Sequence, residues 1–304
     1  MGKATREVYG EILAELGGEN KEIVVLDADL AKATKTDVFK KQYPNRFFDM
    51  GIAEADMLGT AAGLASAGKI PFASSFAVFA VGRAYDQIRN SIAYPKLNVK
   101  ICATHAGISV GEDGATHQAI EDIAMMRALP NMTIISPCDE TETRWAVREA
   151  TKIQGPVYVR LGRMKVEDVY SSEEKFEFGK GKIVREGNDV TIFATGLMVK
   201  EAVKASDILK EKGISLRVVD IHTVKPIDRD IIVKCAKETK RIITAEEHSI
   251  IGGLGSAVME VLSEEYPVKV ERIGINDCFG KSGNAIELLK EFGLTADDIV
   301  RKIE

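Results

Sequence analysis

Residues 47–57, FFDMGIAEADM, change their periodicity at Gly51. The apolar run RFFDM reads as a buried strand. The run after it, AEADMLGTAAGLASAG, reads as a helix rich in small residues and closed by Gly68. Glu54 then stands in the first turn of a helix that follows a strand. In α/β proteins the strands' C-terminal ends are where ligands collect, and this junction lies there. A carboxylate in a first helical turn also has an ordinary explanation, since the positive end of the helix dipole favours it. Residues further along the chain bear on the choice.

Outward from this stretch the same alternation repeats. EIVVLDAD, KIPFASS, VKICAT, MTIIS and PVYVRL read as short strands, and helical patterns cover residues 6–16, 54–67, 79–92 and 139–152. The first helix is expected to end at Gly17-Gly18, and Asp139 with Glu142 has capping-box spacing. Residues 166–187, charged and turn-rich, read as a boundary with a short hairpin. Beyond them DVTIFATG, SLRVVDIHT, RIITAEE and VKVERIGI read as strands, with helices over 198–212, 228–237, 254–266, 285–292 and 296–302. The fold class is therefore α/β: two consecutive domains, residues 1–168 and 188–304, joined by a linker over 169–187, each with a mostly parallel sheet flanked by helices.

A chain of 304 residues is long enough for two domains with real cores. Its net charge of −5, with no basic stripe, gives no support to nucleic-acid binding. No apolar run approaches a membrane span, and the N-terminal MGKATREVYGEIL reads as an amphipathic helix rather than a secretory leader. Cys102, Cys138, Cys235 and Cys278 form no CxxC pair, which fits reduced thiols in the cytoplasm.

Three further stretches bear polar or aromatic groups at strand ends. ATHAGISVGEDGATHQ places His105 just past a strand, followed by a glycine-rich loop with Glu112, Asp113 and His117. Such a loop serves hydrogen bonding to a polar substrate, proton transfer or metal binding, although no HxH or HExxH spacing supports a metal. The alternative is a turn whose histidines bond nearby backbone. Asp113 and His117 converge if a helix begins near Thr116. SSFAVFAVGRAYDQIR gathers Phe76, Phe79 and Tyr85, either core residues or a stacking face for a flat heterocycle. Arg83 and Arg89 read there as a solvated face. In VYVRLGRMK, Arg160 and Arg163 suit either an anion contact or surface ion pairs, and Arg6 and Lys32 are of the same type. No P-loop and no GxGxxG after a strand is present.

Together these stretches resemble the thiamine-diphosphate enzymes of the transketolase group. GIAEADM is similar to that group's strand-to-helix glutamate motif, and GISVGEDGATHQAIEDIAMMRALPNMTIISPCDE to its substrate loop and the elements after it. The resemblance runs from Arg6 to the C-terminus and is most specific between Asp49 and Arg163. It covers the family's pyrimidine-binding and C-terminal domains. The diphosphate-binding domain, with a GDG motif and a downstream asparagine holding Mg²⁺, has no counterpart here. The chain thus resembles the C-terminal subunit of a split transketolase. In 1-deoxyxylulose-5-phosphate synthases an arginine usually takes the His105 position, and 2-oxo acid dehydrogenase β subunits do not usually carry the GEDGxTHQ loop.

The resemblance implies that thiamine diphosphate and Mg²⁺ (or Ca²⁺) are held mainly by a separate N-terminal subunit. Glu54 corresponds to the glutamate on N1′ of the aminopyrimidine, where a carboxyl favours the imino form that deprotonates thiazolium C2. Phe79 matches the aromatic against that ring and Phe76 a neighbouring wall. Gly82 stands where some members have a tyrosine. His105 and His117 match donors to the oxygen developing at the attacked carbonyl. Asp113 matches a reader of a sugar hydroxyl, Asp29 an acid of the substrate channel, and Arg163 and Arg6 the phosphate clamp; Thr34 is a possible member of that clamp. The activity implied is transfer of a two-carbon ketol unit between sugar phosphates in the pentose phosphate pathway, by a heterotetramer of two such chains and two N-terminal subunits. The rivals are a 2-oxo acid dehydrogenase β subunit or a synthase condensing pyruvate, and, from another class, a non-catalytic scaffold.

Overall fold

A computed structural model describes residues 2–304. The strands are β1 (Ile23–Asp27), β2 (Phe47–Asp49), β3 (Ile70–Ser74), β4 (Lys100–Ala103), β5 (Thr133–Ile135), β6 (Val157–Arg160), β7 (Lys182–Arg185), β8 (Val190–Ala194), β9 (Leu216–Asp220), β10 (Thr223–Lys225), β11 (Arg241–Ser249) and β12 (Val270–Ile275). The helices are α1 (Thr5–Glu19), α2 (Ala31–Thr34), α3 (Asp37–Gln42), α4 (Glu54–Ser66), α5 (Ala77–Arg83), α6 (Asp122–Arg127), α7 (Glu140–Lys152), α8 (Met198–Glu211), α9 (Arg229–Glu238), α10 (Leu254–Glu265), α11 (Ala285–Glu291) and α12 (Ala296–Ile303). They build two mostly parallel sheets, ordered β10-β5-β6-β4-β3-β1-β2 and β12-β11-β8-β9-β7. The α/β class is thus as expected.

Strands covered on both faces read as unbroken apolar runs, and IVVLD of β1 is buried throughout. Successive side chains enter opposite cores. Leu26, Ala73, Ile101 and Tyr158 pack with Met57 and Leu58 of α4, while Val25, Phe72, Cys102 and Val159 pack with Tyr9, Ile12 and Leu13 of α1. Among the described residues no helix is long and apolar enough to cross a membrane.

Several elements depart from the sequence expectation, each for a tertiary reason. Of RFFDM, FFD forms an edge strand with only Phe47 buried, not a fully buried one. Helix α1 runs through Gly17-Gly18 to Glu19. A Cβ on Gly17 would stand 2.5 Å from the Phe39 ring and 2.8 Å from Tyr43, so this glycine serves close packing rather than termination. The helix expected over 79–92 divides into α5 and a π-helical stretch, Gln87–Ala93. The stretch read as linker contains β7, antiparallel to β9 at the edge of the second sheet, and forms no hairpin. Most notably, SLRVVDIHT ends its strand at Asp220: β9 stays in the second sheet, and from Thr223 β10 crosses to pair antiparallel with β5 in the first.

That crossing ties the two sheets together over a buried polar seam. Asp220, at the end of β9, accepts from Tyr170 Oη–H at 2.8 Å. Glu142, in the first turn of α7, accepts from the Cys138 N–H at 2.7 Å. Its carboxyl therefore does not close a box onto Asp139, although Asp139 does cap the helix through the Glu142 N–H. Glu142, Asp220 and Cys138 Sγ have ligand atoms within 4.8 Å of one another. Glu142 Oε1 and Asp220 Oδ1 are buried with no hydrogen-bond partner, and one proton kept between the two carboxyls would satisfy both. Burial and the Asp220 charge push Glu142 well up, and burial pushes Asp220 up to about 6. The fold then holds a proton that an unfolded glutamate releases at about pH 4, so this contribution is fully present below about pH 4 and is lost as pH rises. Glu142→Gln, neutral at every pH, is expected to melt above the wild type by a margin that grows from about pH 5 to pH 8, at roughly 2–4 °C per kcal/mol for a chain of this size. A margin that does not change with pH would remove the shared proton.

Candidate active site

Strand β1 is flanked by β2 on one side and β3 on the other, so the chain reverses direction across the sheet there. The crevice outside the C-terminal ends of such strands is the general ligand site of open α/β sheets. Asp29 follows β1, Glu54 follows β2, Phe76 and Phe79 follow β3, His105 follows β4 and Arg163 follows β6. One sheet edge therefore carries them all.

Glu54 is the first residue of α4 and only 4% exposed. Its one side-chain partner among the described hydrogen bonds is Arg83, whose Nη1 donates to both carboxylate oxygens at 3.2 and 3.3 Å. The Arg83 guanidinium also lies 4.1 Å from the centre of the Phe79 ring. Arg83, expected on a solvated face, keeps half of its side chain in solvent while its guanidinium engages Glu54. The signal for its place was the four-residue spacing from Phe79, which stacks side chains one turn apart on a helix. Beside this pair the backbone is open to solvent: a Cβ on Gly51 or Gly82 would meet nothing within 4 Å.

Phe76, Phe79, His105 and His117 form one aromatic group. His105 stacks on Phe76 with ring centres 3.7 Å apart, and His117 meets Phe79 edge-on at 5.2 Å. Backbone pairing past the strand ends aligns them, with Ala77 N–H donating to Thr104 O at 2.7 Å and Thr104 N–H to Ser75 O at 3.1 Å. His105 adopts φ +57, a left-handed conformation uncommon for a residue with a side chain. Its Nδ1 lies 2.8 Å from Thr104 Oγ1, and its Nε2 faces Arg6 Nη1 at 3.5 Å. A guanidinium can only donate, so in this arrangement Nε2 accepts and Nδ1–H bonds the threonine. The Thr104 hydroxyl can also donate, which permits the other tautomer. Burial, followed by the charges of Arg6 and Arg163, lowers His105 to about 3 and keeps it neutral. His117 Nδ1 pairs with Thr116 Oγ1 at 2.9 Å.

Arg6 reaches the same edge from α1, donating to Ala33 O at 2.8 Å, while its Nε is buried without a partner. Burial, and Arg163 nearby, lower its pKa. Arg163 donates to Val110 O and to Glu112 Oε2. Asp29, at φ +60, and Asp113 are exposed on their loops, and no described side-chain hydrogen bond holds either carboxylate. Helix α6 begins at Asp122 rather than near Thr116, and no described contact joins Asp113 to His117. The Thr34 hydroxyl is committed to Asp27, at 2.7 Å. Arg160 takes neither role read from the sequence: fully buried, it forks onto Asp122 at 2.8 and 3.2 Å and donates to Glu247 O. His222 packs against Trp145 and His248 bonds the Ser249 carbonyl, both buried away from this edge.

Two family profiles match the chain: "Transketolase, pyrimidine binding domain" over residues 1–168 and "Transketolase, C-terminal domain" over residues 179–299. It is 55% identical over 304 residues to the "Putative transketolase C-terminal section" of Methanocaldococcus jannaschii, covering 99% of this chain and 95% of that one. It is 45% identical over 296 residues to the 6-deoxy-6-sulfo-D-fructose transketolase subunit of a Clostridium species, covering 97% and 92%. A solved structure titled "Split gene transketolase, inactive beta4 tetramer" is 56% identical, with a TM-score of 0.91 over 100% of this chain and 97% of that one.

Proposed function

The chain belongs to the transketolase family, with that family's pyrimidine-binding and C-terminal domains, and from this we propose that it is the C-terminal subunit of a two-subunit transketolase, active only with a separate N-terminal, diphosphate-binding subunit. The observation that carries the proposal is the buried Glu54 carboxylate, joined through Arg83 to the Phe79 ring and flanked by open backbone at Gly51 and Gly82. The Arg83 guanidinium is a planar group that offers N–H to Glu54 while lying on Phe79. A flat aminopyrimidine is also planar, and its N1′, once protonated, presents an N–H to the same carboxylate, so these residues fit the pyrimidine of thiamine diphosphate.

When bound, thiamine diphosphate supplies the carbanion chemistry that carries a two-carbon ketol unit. Glu54 is assigned to hold the proton shared with the pyrimidine N1′, and Phe79 to stack on that ring, with Phe76 behind it. His105 and His117 place ring nitrogens over the same aromatic group, suited to hydrogen-bond a carbonyl oxygen that gains charge. Neutral His105 does this without adding a buried charge. Arg6 and Arg163 bring two guanidinium groups near His105, and the buried Arg6 Nε has no partner. A phosphate supplies one, and Arg suits it geometrically. Asp29 and Asp113, with free carboxylates on flanking loops, suit the hydroxyls of a sugar.

The expected assembly is two such chains with two N-terminal subunits, which hold Mg²⁺ or Ca²⁺ with the diphosphate. The solved split-gene relative is titled an inactive β4 tetramer, which accords with a chain that associates alone but lacks half of each site. The four unpaired cysteines accord with a cytoplasmic setting, and sugar phosphates as substrates accord with the pentose phosphate pathway. A donor panel on the reconstituted pair tests the proposal. Ketol transfer from xylulose 5-phosphate but not from pyruvate is expected. Turnover of pyruvate alone would favour the dehydrogenase or synthase reading, and no turnover of any donor would favour the scaffold.

A further inference from the structure

The loop that bears Asp113 and His117 belongs to the first sheet but is braced by the second domain. Gly107, Gly111 and Gly114 all have positive φ, and the 3₁₀ turns between them are buried over Ile108–Gly111. The C-terminal domain meets them closely. Glu247, on β11, extends its carboxyl across the domain boundary, and its Oε1 accepts from the Ser109 N–H at 2.6 Å. The same carboxyl fills the place where a Gly107 side chain would stand: a Cβ there would be 2.2 Å from Glu247 Cδ. Gln118 Nε2 donates to Ile108 O, Gly111 O and, in the second domain, Lys281 O at 3.0 Å. The backbone of β11 is fixed in turn, with Glu247 O accepting from Arg160 at 2.9 Å and Ser249 N–H donating to Ile120 O at 2.7 Å. Arg160 is itself held by Asp122.

We propose that Glu247 is a positioning residue for the substrate loop, its buried carboxyl setting the backbone of residues 107–109 and thereby the placement of Asp113 and His117 against the sugar. This rests on the transketolase reading above and gives the C-terminal domain a part in that site. Glu247 touches neither substrate nor cofactor and acts only through the loop.

The groups facing this carboxyl give the brace a pH dependence. Burial pushes Glu247 up to about 7; Arg160 on β6 and the Ser109 N–H on the loop pull it down, and Asp122 on α6 pushes it up. Cys138, across a small cavity that Glu247 also lines, is a thiol that burial keeps protonated. On β11 itself the Glu246 carboxylate is turned to the Leu254 and Gly255 N–H groups, and His248 to the Ser249 carbonyl. An ionised acceptor forms a hydrogen bond about twice as strong as a neutral one. The loop is therefore held more firmly above about pH 7 than below it.

Three proteins paired with the N-terminal subunit test this: wild type, Glu247→Ala and Glu247→Gln. The alanine variant loses the acceptor, and kcat/KM for the ketose donor is expected to fall about 10-fold, the effect of losing one hydrogen bond to a charged group. The glutamine variant keeps an acceptor oxygen and cannot ionise. It should match wild type at about pH 6 and lack the rise in kcat/KM that wild type shows through about pH 7. Thiamine diphosphate affinity, set elsewhere on the sheet edge, should be unchanged in both. A glutamine variant with the wild-type rise, or an alanine variant with unchanged kcat/KM, overturns the proposal. If the alanine variant does not fold, the glutamine profile decides. Amide hydrogen exchange of residues 107–114 reads the brace without substrate: Ser109 should exchange faster in the glutamine variant than in wild type at about pH 8 and equally at about pH 6. Equal exchange at both overturns the proposal whatever the enzyme's substrate; altered exchange with an inactive wild-type pair instead faults the transketolase reading.

Discussion

Glu54→Gln in the assembled two-subunit enzyme is expected to slow ketol transfer by about 10²–10⁴-fold, the usual worth of a positioned proton-transfer group. Glutamine has the shape of glutamate and offers an amide where a carboxyl is required, so packing against α5 is kept while the proton shared with the pyrimidine is lost. The competing account is that Glu54 is only a favourable charge at the start of α4. That role is worth about 0.3–1 kcal/mol of stability and nothing in rate. Steady-state rate and melting temperature, measured on the same variant, separate the two. A large rate loss with a near-unchanged melting temperature supports the proposal. A small stability loss with full activity would reduce Glu54 to a helix-end charge and favour the scaffold reading. Glu54→Ala is the weaker test, because it also leaves the Arg83 guanidinium with no acceptor oxygen on this side chain.

Glu54 was legible because its place depends on local sequence alone: an apolar run, a glycine, then a helical period. Phe76, Phe79, His105 and His117 were legible for a related reason. Each follows a strand by a few residues, and parallel strands carry all such positions to one edge. The family resemblance then gave those positions roles. What was not legible depends on partners distant in the chain. Arg160 looks in sequence like Arg163, three residues on, yet one is buried on Asp122 and the other lies at the surface on Glu112. No periodicity separates them. Arg83 is placed by Glu54, 29 positions away. Gly17 and Gly18 signal a helix end by propensity, and the Phe39 and Tyr43 rings overrule it by packing where no side chain could stand. The departure of β10 from its own sheet has no local mark, because IHTVK is equally apolar wherever it pairs. Asp113 and His117 were expected to converge from an early helix start. The helix begins at Asp122 instead, and it is the bracing from the second domain that fixes their loop.

Thiamine diphosphate with Mg²⁺, titrated into this chain alone, is expected to show little or no binding, and to bind about 10³-fold or more tightly once the N-terminal subunit is added, a difference of about 4 kcal/mol. Small-molecule sites commonly enclose 70–90% or more of the ligand. This chain offers one carboxylate and one ring face, with nothing standing over Gly51 or Gly82. Beside Gly51, Ile52 is 77% exposed, an apolar side chain that a second polypeptide would cover. Arg83 adds a cost, because its guanidinium must leave Glu54 and Phe79 before a pyrimidine can take its place. Its side chain is half exposed, so it can swing into solvent with only a modest loss of ion pairing. Arg83→Ala should therefore raise binding by the mixture slightly and leave the lone chain without detectable binding. Two results would change the picture. Tight binding by the lone chain would place the diphosphate on residues of this chain and remove the need for a partner. Loss of binding by the Arg83→Ala mixture would make Arg83 a ligand of the cofactor rather than its stand-in.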